Sequence, residues 1–242
     1  MAFDSGFRPV ARVATMTAQH QARFWSSSVL RLFPTWLWKA ELRPEVYEPI
    51  NNRILQSFGE IQAAFSDLKP GESWQSEQTL HELEAFRPLV ACIDEAARSV
   101  LDHLKVGHKG FAITGCWATV NAPNAGHRVH SHPNNYLSGV YYVQTQEGAD
   151  TIDFHDPRPQ IGILCPPVTE LTAENTDQVV VKVHNGTMLI FPAWLPHSVD
   201  PNRSDRLRVS ISFNIMLSEP VNLSGGVAGL MMGYRGHGDC LP

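Results

Sequence analysis

The chain has 242 residues, of which 43% are hydrophobic and 18% charged, and its formal net charge at pH 7 is -5. This composition excludes a disordered chain and suits one globular domain with a sizeable core. Because the balance is acidic and no Lys/Arg cluster stands out, a nucleic-acid or anionic-membrane partner is disfavoured, and we expect a small-molecule ligand.

The sequence also predicts a cytoplasmic protein. No run approaches the roughly 20 apolar residues of a membrane span, and the N-terminus lacks the apolar core of a signal peptide. The cysteines show no Cys-x-x-Cys spacing, so we expect reduced thiols rather than disulfides. They are Cys92, Cys116, Cys165 and Cys240.

One folded domain is predicted between two less specified ends. Residues 1–31 show no sustained period and are interpreted as an N-terminal arm. The domain is expected over residues 32–217, with a helical annex at 46–105 and a β core at 111–217. For the tail, 218–242, two interpretations stay open: it folds back on the domain, or it contacts a second subunit of a homodimer.

Two main amphipathic helices are predicted in the annex, after a short edge strand at 33–38. Between residues 46 and 68 apolar residues recur at steps of three and four, which is the helical stripe. A capping-box pattern at 79–82 predicts a further helical stretch. Pro88 predicts a break and a fresh helix that ends at Gly107.

After Gly110 the sequence changes to short β-rich runs separated by Gly, Pro and Asn. Helices never alternate with these runs, so a parallel α/β sheet is disfavoured and closure into a double-stranded β-helix is expected. The predicted fold class is therefore mainly β with a helical annex (α+β), built on a jelly-roll, cupin-like core. The predicted strands cover residues 111–121, 137–143, 151–155, 179–184, 187–191 and 207–217.

A His-x-His pair in the β core predicts a metal site. In an extended chain, side chains two apart lie on one face, so the imidazoles of His130 and His132 can lean toward one point. Two nitrogens from one strand are not enough to hold a metal ion. His197, which follows a buried strand, is the expected third ligand. A site with two or three protein ligands leaves positions open for an organic cosubstrate and dioxygen.

Arg208 begins an alternating strand whose even positions share one polar face. A guanidinium inside a barrel needs an anion, and a bidentate carboxylate would satisfy it. Charge burial therefore predicts a ligand with two acid groups, one on the metal and one on Arg208. Arg206 shares the strand parity and is the rival for this role. The polar face comprises Arg208, Ser210, Ser212 and Asn214.

Several segments form a combination that is specific as a set. They are HSHP at 130–133, SGVYYV at 138–143, DPR at 156–158, FPAWLPH at 191–197 and RVSISFN at 208–214. On these motifs the sequence resembles the Fe(II)- and 2-oxoglutarate-dependent oxygenases, specifically a bacterial and phage group of that superfamily. The resemblance covers about residues 32 to 217.

The resemblance implies a jelly-roll enzyme with Fe(II) as its metal and 2-oxoglutarate as its cosubstrate. In prolyl-hydroxylase-like relatives, the second tyrosine of the pair and the arginine opening the late strand hold the far carboxylate of 2-oxoglutarate. These positions correspond to Tyr142 and Arg208. Ser212 shares that face, and Ser138 and Asn214, which lie in the same motifs, are also expected at the cosubstrate site.

The sequence departs from this family at His132, where most of the superfamily has Asp or Glu. Two ligand sets stay open: three histidines, or two histidines with a carboxylate such as Asp153 or Asp156. We favour three histidines, because a 2-oxoglutarate dianion can still neutralise the charge of the iron.

The functional interpretation is an Fe(II)- and 2-oxoglutarate-dependent dioxygenase that hydroxylates a small molecule, an amino acid or a related metabolite, and releases succinate and CO2. One alternative is a cupin-type three-histidine dioxygenase or lyase without a cosubstrate. The presence of Tyr142 and Arg208, the expected 2-oxoglutarate-binding residues, argues against this alternative. The other is a non-catalytic, ligand-binding jelly roll. No motif names the primary substrate, because its contacts come from loops with no readable code.

Overall fold

The computed structural model describes residues 28–30, 32–59, 65, 67–163 and 166–220. Most of the expected tail, most of the expected N-terminal arm, Cys165 and Cys240 lie outside the described residues. The first residues of the expected tail, 218–220, belong to the last strand of the domain. The chain divides into two units, Met1–Thr35 and Trp36–Pro242. All helices and strands given below lie in the second unit.

The described residues form two antiparallel sheets. Their strands are β1 (Trp38–Glu41), β2 (Ser73–Gln75), β3 (His108–Asn121), β4 (His127–His130), β5 (Leu137–Gln144), β6 (Thr151–His155), β7 (Gln178–Lys182), β8 (Thr187–Pro192), β9 (His197–Val199) and β10 (Arg208–Pro220). The larger sheet has the order β1-β8-β5-β10-β3-β2, and the smaller has the order β4-β9-β6-β7. These two sheets are the double-stranded β-helix that the sequence predicts.

Strict alternation along the strands gives the larger sheet two buried faces. On one face Ile211 and Phe213 of β10 join the core that contains the helices. On the other face Tyr142 of β5 packs with Phe154 and Leu195, which lie on or beside the smaller sheet. The second face is the interior of the double-stranded β-helix, and the polar positions of β10 point into it.

Two α-helices, α1 (Pro44–Ser57) and α2 (Arg87–His103), cover the outer face of the larger sheet. Ile54 of α1 and Leu89 and Ile93 of α2 are fully buried there. Pro88 lies in the first turn of α2, where its missing N–H costs nothing. The predicted break before this helix is confirmed.

The first predicted helix is too long. Its stripe continues to residue 68, but α1 ends at Ser57. The N–H of Phe58 donates to Ile54 O at 3.2 Å, and the N–H of Gly59 donates to Gln56 O at 2.9 Å, so the last turn tightens and the helix stops. Residues 60–64 and 66 lie outside the described part of the chain.

Three further local predictions need correction. The capping-box residue Thr79 makes no side-chain cap, and two short 3₁₀ turns, Leu80–Glu82 and Glu84–Phe86, stand where a helix was expected. The edge strand begins at Trp38 rather than at residue 33. The predicted strands also omit the segment around Trp74, which is strand β2 and pairs with β3 at the edge of the larger sheet.

Among the described residues, no helix combines the length and the apolar character needed to cross a membrane.

Candidate active site

The three predicted histidines meet where β4 and β9 pair. His130 is the last residue of β4, and its cross-strand partner is His197, the first residue of β9. His132 lies two residues beyond β4, and its backbone N–H donates to Ala193 O at 2.9 Å. A strand pair therefore positions two of the imidazoles, and an anchored loop positions the third.

The imidazoles form a compact group. The closest nitrogens of His130, His132 and His197 all lie within 4.8 Å of one another. The Nε2 atoms of His132 and His197 are 3.3 Å apart. In the described part of the chain, no other His, Cys, Asp and Glu side chains form a group of three or more that could share a metal ion.

The tautomers also suit metal binding. Nδ1 of His130 lies 2.8 Å from the carbonyl of Arg128, and Nδ1 of His197 lies 3.0 Å from the carbonyl of Leu195. A carbonyl only accepts, so each Nδ1 carries the proton and each Nε2 keeps its lone pair. Backbone carbonyls commonly orient metal-binding histidines in this way.

Burial keeps two of these rings neutral. It lowers the pKa of His132 to about 4, with the nearby His130 acting in the same direction. Burial also lowers the pKa of His197 to about 4, although the hydrogen bond to Leu195 opposes the shift. At pH 7 His132 and His197 therefore offer lone pairs rather than protons, which is the state a metal requires.

The carboxylates of the alternative ligand set lie elsewhere. Asp153 alternates with Ile152 and Phe154 on β6, and these two neighbours face the interior, so its side chain lies on the opposite face. Asp156 accepts from the backbone N–H and from Nε of Arg158, both at 2.9 Å. That pairing lowers the pKa of Asp156. The group that the fold assembles is the three-histidine group.

Arg208 and Tyr142 lie deep in the cavity that the histidines line. Arg208 is 3% exposed and Tyr142 is 0% exposed. The guanidinium carbon lies 5.2 Å from the centre of the Tyr142 ring. Burial raises the pKa of the Tyr142 hydroxyl, and the charge of Arg208 opposes that shift.

These two residues carry buried donors without partners. Nε of Arg208 and the hydroxyl of Tyr142 make no hydrogen bond of standard geometry to any described residue. A buried donor left unpaired costs about 1 to 3 kcal/mol. A carboxylate between them would remove that cost, so the residues present fit the far end of a dicarboxylate.

The remaining residues expected at the cosubstrate site divide into two groups. Ser212 lines the cavity. Ser138 donates to Oδ1 of Asn214 at 2.7 Å across the β5–β10 pair, so these two side chains satisfy each other, and neither is among the residues lining the cavity. The rival Arg206 is exposed and precedes β10.

One wall of the cavity was not anticipated from the sequence. It consists of alternate residues of β3, together with Gln75 of β2. The ring of Trp117 lies 5.8 Å from that of His132. His127 is the first residue of β4 and also lines the cavity. The available signal was the period-two pattern Trp117, Thr119, Asn121 on one strand face.

Several solved structures share this fold. A prolyl-4-hydroxylase from Pseudomonas putida has a TM-score of 0.51 and 16% identity, over 76% of this chain and 94% of that one. HygX from Streptomyces hygroscopicus, with nickel and 2-oxoglutarate bound, has a TM-score of 0.52 and 12% identity, over 76% and 83%. The α-ketoglutarate-dependent epimerase SnoN of nogalamycin biosynthesis has a TM-score of 0.53 and 13% identity, over 75% and 76%. No curated protein matches the sequence.

A jelly roll with a small histidine group and open coordination positions is the architecture of a non-haem iron oxygenase. Residues 115–214 match the family described as "Putative 2OG-Fe(II) oxygenase". This match, together with the fold and the three-histidine group, supports a 2-oxoglutarate-dependent non-haem iron oxygenase with Fe(II) and 2-oxoglutarate as its cofactors. The matched segment contains all three histidines, Tyr142 and Arg208.

Proposed function

We propose that this oxygenase hydroxylates a small molecule, an amino acid or a related metabolite, and releases succinate and CO2. One observation carries the proposal: a buried guanidinium and a buried tyrosine hydroxyl, both with unpaired donors, line the same cavity as the three histidines. Such a cavity suits a dicarboxylate whose far end is held by Arg208 and Tyr142 while its keto acid end reaches the metal.

In this proposal His130, His132 and His197 hold Fe(II). The carbonyls of Arg128 and Leu195 keep Nδ1 protonated in His130 and His197, so Nε2 faces inward in both. Since all three ligands are neutral, the dianion of 2-oxoglutarate neutralises the site. When bound, Fe(II) and 2-oxoglutarate supply the oxidising power that places one oxygen atom of dioxygen into a C–H bond of the substrate.

Arg208 and Tyr142 select and orient the cosubstrate. A guanidinium matches a carboxylate through two parallel N–H donors, and burial strengthens that pair. The Tyr142 hydroxyl adds a third donor, and its raised pKa keeps it protonated. Ser212 lies on the same wall and is proposed to contribute there.

The cavity wall supports a small primary substrate. Arg208 is the only Lys or Arg among the described residues that line it, so no basic patch is available for a polymeric anion. The cavity wall carries the indole of Trp117, which lies close to His132, and the side chain of Gln75. Apolar and amide groups of this kind suit a small metabolite with both a carbon skeleton and hydrogen-bonding groups.

The test is succinate formation by protein loaded with Fe(II) under air. We expect succinate to appear only when both iron and 2-oxoglutarate are present. Adding the amino acid or related metabolite that is the substrate should increase succinate formation and give the hydroxylated substrate as a second product. His184→Ala is the matched control, because His184 is exposed and does not line this cavity. Oxidation of a substrate without 2-oxoglutarate would favour the cosubstrate-free alternative, and binding without any turnover would favour a binding protein.

A further inference from the structure

His127 is a fourth histidine at the cavity, and it stands outside the three-histidine group. It begins β4, three residues before His130, and its cross-strand partner on β9 is Val199. The rings of His127 and His130 are 6.5 Å apart. Neither metal binding by the three histidines nor carboxylate binding by Arg208 and Tyr142 involves this side chain.

The imidazole of His127 is held by Asn121, a residue that is 2% exposed. Nδ2 of Asn121 lies 3.1 Å from Nε2 of His127, and it also donates to Oγ of Ser73 at 2.9 Å. Asn121 is the cross-strand partner of Arg208 in the β3–β10 pair. The same residue therefore fixes the ring of His127 and places it beside the strand position of Arg208.

Asn121 also determines which nitrogen of His127 is the donor. With Nδ2 of Asn121 donating to Nε2, the proton of the neutral imidazole lies on Nδ1. Burial lowers the pKa of His127, and the charges of His130 and Arg208 act in the same direction. Nδ1 makes no hydrogen bond to any described residue. His127 thus lines the cavity and carries one donor, Nδ1–H, that no described residue uses.

We propose that His127 is a further cosubstrate-binding residue, whose Nδ1–H completes the carboxylate site formed by Arg208 and Tyr142. This inference rests on the proposed function, because it concerns the same far carboxylate of 2-oxoglutarate. A carboxylate has about four acceptor positions, and each one left empty in a buried site weakens binding. The Arg208 fork and the Tyr142 hydroxyl provide three donors, and His127 provides the fourth.

A neutral fourth donor also explains why the site carries only one cation. A dicarboxylate places a single negative charge at its far end, and Arg208 balances it. A second cation would leave excess positive charge in a buried cavity, which is costly. His127 adds a hydrogen bond without adding charge, so it should favour a far carboxylate over a neutral end group.

The experiment measures binding to nickel(II)-loaded protein by calorimetry, with two ligands. The first is 2-oxoglutarate. The second is 2-oxopentanoate, which has the same chain length and a methyl group in place of the far carboxylate. For His127→Phe we expect the Kd for 2-oxoglutarate to rise roughly 10- to 100-fold, the effect of losing one hydrogen bond to a charged group. The Kd for 2-oxopentanoate and the Kd for nickel should each stay within about twofold.

Two further variants decide the interpretation. His127→Gln keeps an N–H donor and should bind 2-oxoglutarate more tightly than His127→Phe, although less tightly than the unsubstituted protein. If His127→Phe fails to fold, His127→Leu takes its place, and the same order of affinities between His127→Gln and His127→Leu is expected. His184→Phe, at an exposed histidine, should match the unsubstituted protein.

The proposal is overturned if His127→Phe and His127→Leu bind 2-oxoglutarate normally, or if they lose affinity for both ligands equally. Equal losses would mean that His127 acts on the metal end or on the shape of the cavity. Failure of the unsubstituted, nickel-loaded protein to bind 2-oxoglutarate would instead overturn the proposed function itself.

Discussion

At the scale of single residues, Arg208 is the position where a small chemical change should have the largest selective effect. Lysine keeps the charge but loses the planar fork that matches a carboxylate. We therefore expect Arg208→Lys to raise the Kd for 2-oxoglutarate roughly 10- to 100-fold, with iron affinity unchanged. Anaerobic titrations of each component measure the two effects separately. An unchanged affinity for 2-oxoglutarate in Arg208→Lys would show that Arg208 does not bind the cosubstrate. Arg206→Lys is the control, since Arg206 is exposed.

The metal-free protein should be sensitive to acid because of His132 and His197. Folding lowers the pKa of each ring from the ordinary 6.5 to about 4. Between pH 6.5 and pH 4 the unfolded chain binds protons at these rings that the folded chain does not bind. The contribution of the two rings to the free energy of unfolding is therefore complete above about pH 6.5 and decreases as the pH is lowered toward 4. Melting temperatures of metal-free protein from pH 8 to pH 4 test this. His132→Phe combined with His197→Phe should flatten the profile, and an equally steep profile in that variant would contradict the assignment.

At the scale of secondary-structure elements, α2 is expected to act as scaffold. Ile93 is fully buried against the outer face of the larger sheet, whereas Ala91 on the same helix is exposed. An unpaired carboxylate at position 93 costs several kcal/mol, comparable to the whole stability of about 5 to 15 kcal/mol. Ile93→Asp should therefore give insoluble or loosely packed protein. Ala91→Asp should fold normally, and near-ultraviolet circular dichroism distinguishes the two results.

Long elements could be predicted from the sequence because their patterns are local. The strand ending at Asn121 and the strand from Leu137 follow alternation and turn residues, and α2 follows its apolar stripe. Short elements could not be predicted in the same way. β2 and β9 have three residues each, and they exist because β3 and β4 supply partners that lie far away in the chain. The end of α1 was missed because an apolar stripe continues past the point where the helix stops.

At the scale of the whole molecule, the two sheets bring together residues that are distant in the sequence. His130 meets His197 through the β4–β9 register, and Arg208 meets Tyr142 because β10 lies beside β5. The motifs predicted these residues as a set. His127 and Asn121 were missed, because their contact arises only when the sheets close and no motif of the sequence records it.

Binding of cofactors should stabilise the whole domain. A ligand at 100 times its Kd adds about 2.7 kcal/mol, and for a protein of this size that corresponds to a rise in Tm of roughly 5 to 10 °C. We expect manganese(II) with 2-oxoglutarate to produce such a rise in thermal unfolding. In His197→Ala, which loses one of the three neighbouring imidazoles, the rise should disappear. A full rise in that variant would place the metal elsewhere.

The position of β4 at the edge of the smaller sheet has a consequence for how the site forms. This strand of four residues pairs only with β9, so few hydrogen bonds hold it. Arg208, in contrast, begins a central strand of the larger sheet. Without metal, β4 should open locally at little cost while the anion-binding end stays ordered. A metal held by His130 and His197, as proposed, would cross-link the two strands. Amide hydrogen exchange in residues 127–130 should then slow on metal loading, while exchange in α2 stays the same.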